Sequence, residues 1–224
     1  GVLMPTVTDI GPFYRKKIEY KGYQKLAYLH PNQFTPDRAK VDLPINERYF
    51  ILRFSSLNAY HDVNAKGVTD HIASRIISCL KPYGKVIISS ERELPREFES
   101  YRFIGKVKDI HHYMAFADLF IGDSQSMCAE AGLLGTPFVR YNDFVGLIGY
   151  LNEIENKYHL GYGIKPGNED KLLDKIKELV VTNNLKDEFN KRKQRMLDDK
   201  IDVTAFYVWF IENYPKSRKI MKEN

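Results

Sequence analysis

The run IGDSQSMCAEAGLLGTP (residues 121–137) contains the side chains with the clearest chemical potential in this chain. Asp123, Ser124 and Ser126 can each cap the helix predicted for MCAEAGLL, because their oxygens accept hydrogen bonds from the free amides of a first turn. Those amides and the helix dipole favour an anion at that end. Glu130 lies four residues after Ser126, on the same helix face and about 6 Å further along the axis.

This spacing fits a bound nucleoside diphosphate. The phosphates would lie at the tip of the helix, and the ribose hydroxyls would donate to Glu130 one turn deeper. Each charge-assisted hydrogen bond of that kind contributes about 1.5 to 3 kcal/mol. The same spacing also fits a helix in which Ser124 is only an N-cap and Glu130 is a surface residue, because capped helices commonly follow strands.

Short apolar runs alternate with helical patterns along the middle of the chain. The predicted strands are RYFILRF (48–54), KVIISS (85–90), DLFIGD (118–123), PFVRY (137–141) and GYGI (161–164). Helical periodicity covers residues 68–80, 110–117 and 172–180. The alternation predicts an α/β fold, a Rossmann-like doubly wound parallel sheet. Ligands of such sheets bind at the carboxyl ends of the strands, so the loops there are the places to search.

Further candidate residues follow the first two strands. Asn58 and His61 belong to the polar loop after the first strand, and they either face a cleft or lie on a solvated loop. Arg92 follows the second strand and can either reach a phosphate or pair with a neighbouring glutamate.

His111 and His112 are adjacent on a helix and point about 100° apart, so they cannot chelate one metal, and no metal site is expected.

Three regions are predicted along the chain. Residues 1–46 are rich in proline and do not fit the alternation, so we interpret them as a connecting arm with one short strand, KLAYL (25–29). Residues 47–200 form the Rossmann-like domain, and residues 201–224 form a closing C-terminal helix with a broad aromatic stripe. A chain that opens with an arm suggests part of a larger protein.

The composition narrows the class of protein. The chain has 224 residues, 43% apolar and 28% charged, with no run of about 18 apolar residues and no cleavable leader, so membrane-spanning and secretory classes are not expected. Cys79 and Cys128 are predicted to be buried free thiols, which favours the cytoplasm.

The net charge of +5 is mild and the aromatic residues are not interleaved with basic ones, so nucleic acid is not expected as a partner. The basic tail after residue 215 is a solvated helix end or, as the less favoured alternative, a contact for an anionic membrane surface.

One long motif resembles a known superfamily. The run DSQSMCAEAGLLGTPFVRYNDF (123–144) resembles the nucleotide-binding element in the C-terminal half of GT-B proteins, which include nucleotide-sugar glycosyltransferases and the non-hydrolysing UDP-N-acetylglucosamine 2-epimerases. SERELP, GDSQSM, LGTP and NDFVG are similar to runs in one bacterial and archaeal family of GT-B-like proteins. The resemblance covers about residues 48–165. It implies a domain of the GT-B C-terminal type.

The resemblance also implies roles for individual residues. Ser124, Gln125 and Ser126 would bind the diphosphate, Glu130 would bind ribose, and Ile110 would flank the base.

The loop after LGTP would then face the donor sugar with Arg140, Asn142 and Asp143. The implied substrate is a nucleotide sugar, UDP-linked by analogy, with no permanently bound cofactor. The implied partner is an N-terminal domain of the same protein. Without it, the isolated chain is expected to transfer no sugar, and no catalytic residue is assigned.

Three other functions remain open. Epimerase chemistry would use a His-Arg-x-Glu-Asn run that falls at residues 54–58, where only Asn58 matches, and the diglycine after the serine is replaced by Gln125 and Ser126. A non-catalytic module that binds sugar nucleotides is the second alternative. The third is a GDSL-type esterase, because Gly122-Asp123-Ser124 and Asp109-x-x-His112 mimic its motifs, although in reversed chain order.

Overall fold

The computed structural model describes residues 2–9, 11–56 and 67–223. Its strands are β1 (Val2–Pro5), β2 (Lys17–Tyr20), β3 (Tyr49–Phe54), β4 (Lys85–Ser90), β5 (Leu119–Gly122), β6 (Phe138–Tyr141) and β7 (Gly161–Ile164). Its helices are α1 (Leu26–Leu29), α2 (Asp70–Leu80), α3 (Ile110–Phe116), α4 (Gln125–Leu134), α5 (Gly149–Asn156), α6 (Glu169–Val181), α7 (Leu185–Asp199), α8 (Val203–Glu212) and α9 (Lys216–Glu223).

The five predicted strands form one parallel sheet in the order β4-β3-β5-β6-β7. The chain runs outward from β3 to β4 and then crosses back to β5, so the strand order reverses between β3 and β5. This reversal opens a crevice at the carboxyl ends of the two strands. Gly122 ends β5 there, and a Cβ on it would lie 2.7 Å from the carbonyl oxygen of Arg53. Glycine therefore permits the close approach of β5 to β3.

The sheet is covered on both faces, as its continuous apolar strands predict. Phe50 packs into a core with Ile76 of α2 and Ile176 of α6. Its neighbour Ile51 points to the opposite face and packs into a second core with Met114 of α3. The predicted α/β, Rossmann-like, doubly wound architecture is confirmed.

Helix α4 begins and ends as its sequence predicts. The Ser124 hydroxyl accepts a hydrogen bond from the Met127 amide at 3.3 Å, which is the N-cap arrangement. Gly135 ends the helix with a φ of 89°, a conformation that glycine adopts without strain. Cys128 in this helix is a buried free thiol, whereas Cys79 is only partly buried, in contrast to the prediction.

The first 46 residues pack closely onto the domain. β1 and β2 pair in parallel, and the predicted strand KLAYL is instead helix α1 together with its N-cap residue, Lys25. The reason is spacing: Leu26 and Leu29 lie three residues apart, so a helical turn buries both on one face, whereas a strand would point them to opposite faces. Together with Tyr23 they belong to the same core as α3 and α4.

The predicted single closing helix is two helices, α8 and α9, separated at Tyr214 and Pro215. Val203 and Phe210 of the aromatic stripe are buried, whereas Ile211 is exposed. The Phe206 ring lies 5.3 Å from that of Tyr20, so α8 packs on the arm. In the described ranges, no helix combines the length and the apolar character needed to cross a membrane.

The outer edge of β4 is paired with a short irregular segment. Arg102 forms a parallel bridge with Ile88, and the Phe103 amide donates to the Ile88 carbonyl at 2.8 Å. These bonds fix the chain that leads from β4 towards α3.

Candidate functional site

The start of α4 lies at the carboxyl edge of the sheet, directly after β5. Ser124 is buried as the cap, Gln125 is half-buried and Ser126 is exposed. Their helical positions leave the amides of Gln125 and Ser126 without acceptors inside the helix. This end of α4 therefore presents amides and a hydroxyl at the positive end of a helix dipole.

Glu130 lies one turn further along α4 and is only 8% exposed. Its carboxylate accepts hydrogen bonds from the Tyr28 hydroxyl and from Nε2 of His111, both at 2.9 Å. Nζ of Lys25 lies 3.8 Å from the same carboxylate. Burial alone would raise the pKa of Glu130, but His111, Lys25 and Tyr28 outweigh it, so the pKa lies below its usual value and the group is anionic. Glu130 is thus a buried anion and not a plain surface residue.

Ile110, expected to flank the base, is the first residue of α3 and directly precedes His111. This places it on the helix that contacts Glu130. His112, the other histidine of the pair, accepts a hydrogen bond from the Asp37 amide at 2.9 Å. Ser124 is hydrogen-bonded to the Met127 amide and His112 to the Asp37 amide, and the contacts of the described residues do not include the Ser124–His112 pair that the esterase alternative requires.

A groove of about 650 Å³ opens beside the start of α4. Residues of the arm form one wall, and the starts of α4 and α5 form the other. Lys25 reaches across it: its Nζ donates to the Ser126 hydroxyl at 3.1 Å and lies 5.8 Å from the centre of the Tyr150 ring. Lys25 therefore links this groove, which Ser126 also lines, to the Glu130 carboxylate. Sequence reasoning missed Lys25, Tyr28, His111 and Tyr150 as parts of this site.

The structure corrects the expectation that Arg140 and Asn142 face a cleft. Both side chains are 0% exposed. Arg140 donates to the two carboxylate oxygens of Glu155 at 2.9 and 3.1 Å and to Oδ1 of Asn142 at 3.1 Å. Asn142 in turn donates to the Asp123 carbonyl at 2.7 Å. Arg140 is a charged residue on a strand, and it can be buried because α5 supplies the Glu155 carboxylate as its partner. Through Asn142, this ion pair fixes the ends of β5 and β6. Asp143, next in this loop, is exposed.

The other predicted edge residues lie apart from this groove. Arg92 donates to the Val68 carbonyl at 2.9 Å and to Asp70 at 3.0 Å, so its partner is neither of the neighbouring glutamates. It lines a second groove of about 630 Å³, which Asp123 also lines. Asn58 and His61 lie outside the described residues.

Comparison with known proteins gives a match at the level of fold. No protein-family model and no curated protein matches the sequence. Among solved structures, WaaG, a glycosyltransferase involved in lipopolysaccharide biosynthesis, superposes with a TM-score of 0.53 at 15% identity, over 83% of this chain and 53% of WaaG. A spinosyn forosaminyltransferase gives 0.52 at 12% identity, over 92% and 50%. The calicheamicin glycosyltransferase gives 0.53 at 11% identity, over 79% and 45%.

The chain has the fold of a GT-B C-terminal domain. It spans about half the length of these glycosyltransferases. The resemblance found in the sequence therefore holds for the fold.

Asp123 directly follows β5, at the crevice between β3 and β5. Its carboxylate accepts hydrogen bonds from the amides of Ser55 at 2.7 Å and Val68 at 3.1 Å, and so ties the chain just after β3 and the chain just before α2 to the end of β5. Burial raises the pKa of Asp123 to about 6, although the two amides oppose the shift.

This shift predicts a pH dependence of stability. The folded pKa exceeds the ordinary value of 3.8, so the contribution of Asp123 is fully present below about pH 4 and is lost as the pH rises through about 6. The difference in free energy of unfolding between the wild type and Asp123→Asn, which does not titrate, should fall across that window by at most about 1.4 kcal/mol per pH unit. Urea denaturation at pH 4, 5, 6 and 7 measures it. A difference that stays constant or rises with pH would contradict the assignment.

Proposed function

We propose that this chain is the nucleotide-sugar-binding half of a GT-B glycosyltransferase that uses a UDP-linked sugar. The observation that carries the proposal is the line of polar groups along α4. Glu130 is a buried carboxylate 3.8 Å from Lys25, which is 3.1 Å from the Ser126 hydroxyl at the helix tip. The fold shared with glycosyltransferases supports the same reading.

Each group in this line suits one part of a nucleoside diphosphate. The amides of Gln125 and Ser126 donate to phosphate oxygens, as helix starts do in other phosphate sites. Glu130 accepts hydrogen bonds from the ribose hydroxyls, which replace the chemically similar Tyr28 hydroxyl. Ile110 on α3 provides an apolar contact for the base.

Sugar transfer follows from stabilising the leaving group. When the bond between the sugar and the diphosphate breaks, negative charge grows on the diphosphate. Amides and hydroxyls already aimed at that position stabilise the charge without reorganising. The site that binds the acceptor, and any catalytic base, belong to a second domain of a longer chain. That domain closes over the groove.

The epimerase alternative is weaker for a structural reason. The position that the epimerases give to histidine falls at Phe54, which is fully buried in the core between the sheet and α2. A side chain there packs and does not reach the groove.

The test is a panel of nucleotides and sugar nucleotides added to this chain. UDP, dTDP, GDP and ADP are titrated by calorimetry and compared in melting curves. A nucleotide at 100 times its dissociation constant should stabilise the fold by about 2.7 kcal/mol. The same chain should release no nucleotide from UDP-sugars, because an interdomain site needs groups fixed from both sides.

Absence of binding by every nucleoside diphosphate would contradict the proposal. A longer chain that carries the second domain separates the remaining alternatives. A glycosyltransferase releases nucleotide when supplied with sugar donor and acceptor, whereas a non-catalytic module binds the donor and releases none.

A further inference from the structure

Lys25 is a cation in an unusual position. It precedes α1 on the arm, and its side chain is only 17% exposed. Its Nζ donates to Ser126, the second residue of α4. The amino group therefore lies beside the positive end of a helix dipole, where cations are normally disfavoured.

The partners of Lys25 offset only part of the unfavourable electrostatic energy of its ammonium group at this position. Ser126 is a neutral acceptor, and the Glu130 carboxylate is 3.8 Å away and already accepts from Tyr28 and His111. Burial lowers the pKa of Lys25, and Glu130 opposes that shift without overcoming it. An ammonium group has three donors, and the described contacts of Lys25 include one hydrogen bond at 3.1 Å.

An anion between Lys25 and the start of α4 would compensate both positive groups at once. The groove of about 650 Å³ opens there and is lined by Lys25 and Ser126. A phosphate oxygen in this position would accept from the Lys25 ammonium, from the Ser126 hydroxyl and from the free helix amides. A bond between the Lys25 ammonium and a phosphate joins two opposite charges and is stronger than the bond that the ammonium makes with the neutral Ser126 hydroxyl.

We propose that Lys25 of the arm is a diphosphate ligand, which neutralises the phosphates from the side opposite the helix amides. The inference rests on the proposed nucleotide-binding function and extends it to the arm. It makes the arm one wall of the donor site, so that the site is complete only when α1 is docked against α4.

The test uses UDP and inorganic pyrophosphate as probes on three variants of the full chain. Lys25→Met keeps the length of the side chain but removes the charge, and should weaken the binding of both probes by about 10- to 150-fold. Lys25→Arg keeps the charge and should retain most of the affinity. Lys40→Met makes the same charge change at an exposed position of the arm and should alter neither probe. Uridine, which lacks phosphate, should bind the wild type and Lys25→Met equally.

The outcomes separate this inference from the proposed function. If UDP binds the wild type and Lys25→Met with equal affinity, the role of Lys25 is wrong while nucleotide binding stands. If uridine binding falls as much as UDP binding, Lys25 acts on the nucleoside and not on the phosphates, which also overturns the inference. If no nucleoside diphosphate binds the wild type, the proposed function itself fails. Melting curves show that each variant is folded under the conditions of titration.

Discussion

Replacing Arg140 with methionine should lower the free energy of unfolding by about 3 to 5 kcal/mol. The guanidinium is fully buried and donates to both oxygens of Glu155, which is itself 7% exposed. Removal of the cation leaves a buried carboxylate without its partner and takes away one of the two hydrogen bonds that Oδ1 of Asn142 accepts. Urea denaturation of the wild type and Arg140→Met measures the difference.

Two matched variants identify the cause of that loss. Arg75→Met breaks an exposed ion pair with Asp170 and should change stability far less, because water and salt screen such pairs. The double variant Arg140→Met/Glu155→Leu removes both charges and should recover much of the stability, because apolar replacements of buried pairs are often neutral. Equal losses in Arg140→Met and Arg75→Met would show that the buried pair has no special role.

Glu130→Gln should weaken UDP binding by about 5- to 150-fold, equivalent to about 1 to 3 kcal/mol. The substitution keeps the shape of the side chain but replaces the charged acceptor for ribose with a neutral amide. Pyrophosphate has no ribose, so its affinity should change much less. Calorimetric titration of both ligands gives the comparison, and Glu97→Gln, the same change at an exposed glutamate, is the control.

Glu130→Gln should also lower the melting temperature, since Tyr28 and His111 lose a charged acceptor. The ratio of UDP affinity to pyrophosphate affinity therefore tests the ribose assignment better than either affinity alone, because a loss of stability affects both ligands. A lower melting temperature with unchanged UDP affinity would mean that Glu130 only anchors the arm to the domain. The ribose assignment would then be wrong.

The sheet was predictable because its physics is local. Strands that are buried on both faces consist of short runs of β-branched and aromatic residues, which can be recognised in the sequence. Each predicted run ends within one or two residues of the end of its strand. The cap of α4 was predictable for the same reason, because Ser124 and the amide that it accepts from are three residues apart. α5 has a weaker apolar pattern and was not anticipated.

The remainder of the site depends on distant partners. Lys25 and Glu130 are 105 positions apart in the sequence, and only docking of the arm brings them together. The one local indication was that Lys25 and Tyr28 are three residues apart, which on a helix places them on the same face. Because the segment was predicted to be a strand, this spacing was not recognised. Arg140 was misassigned because the resemblance placed its loop at the donor sugar, and its buried partner could not be read from the sequence. That partner, Glu155, lies on the helix that the sequence did not reveal.

The bonds that residues 102 and 103 make along β4 also affect how copies of this chain can meet. A bare strand edge presents unpaired amides and carbonyls, and another molecule can add a strand there and begin to aggregate. Part of the β4 edge is already hydrogen-bonded to the chain that follows it. In the described part of the chain, β7 forms the opposite edge with only four residues, two of them glycines, which are poorly suited to strands. Self-association through continuous sheets is therefore disfavoured at both ends of this domain.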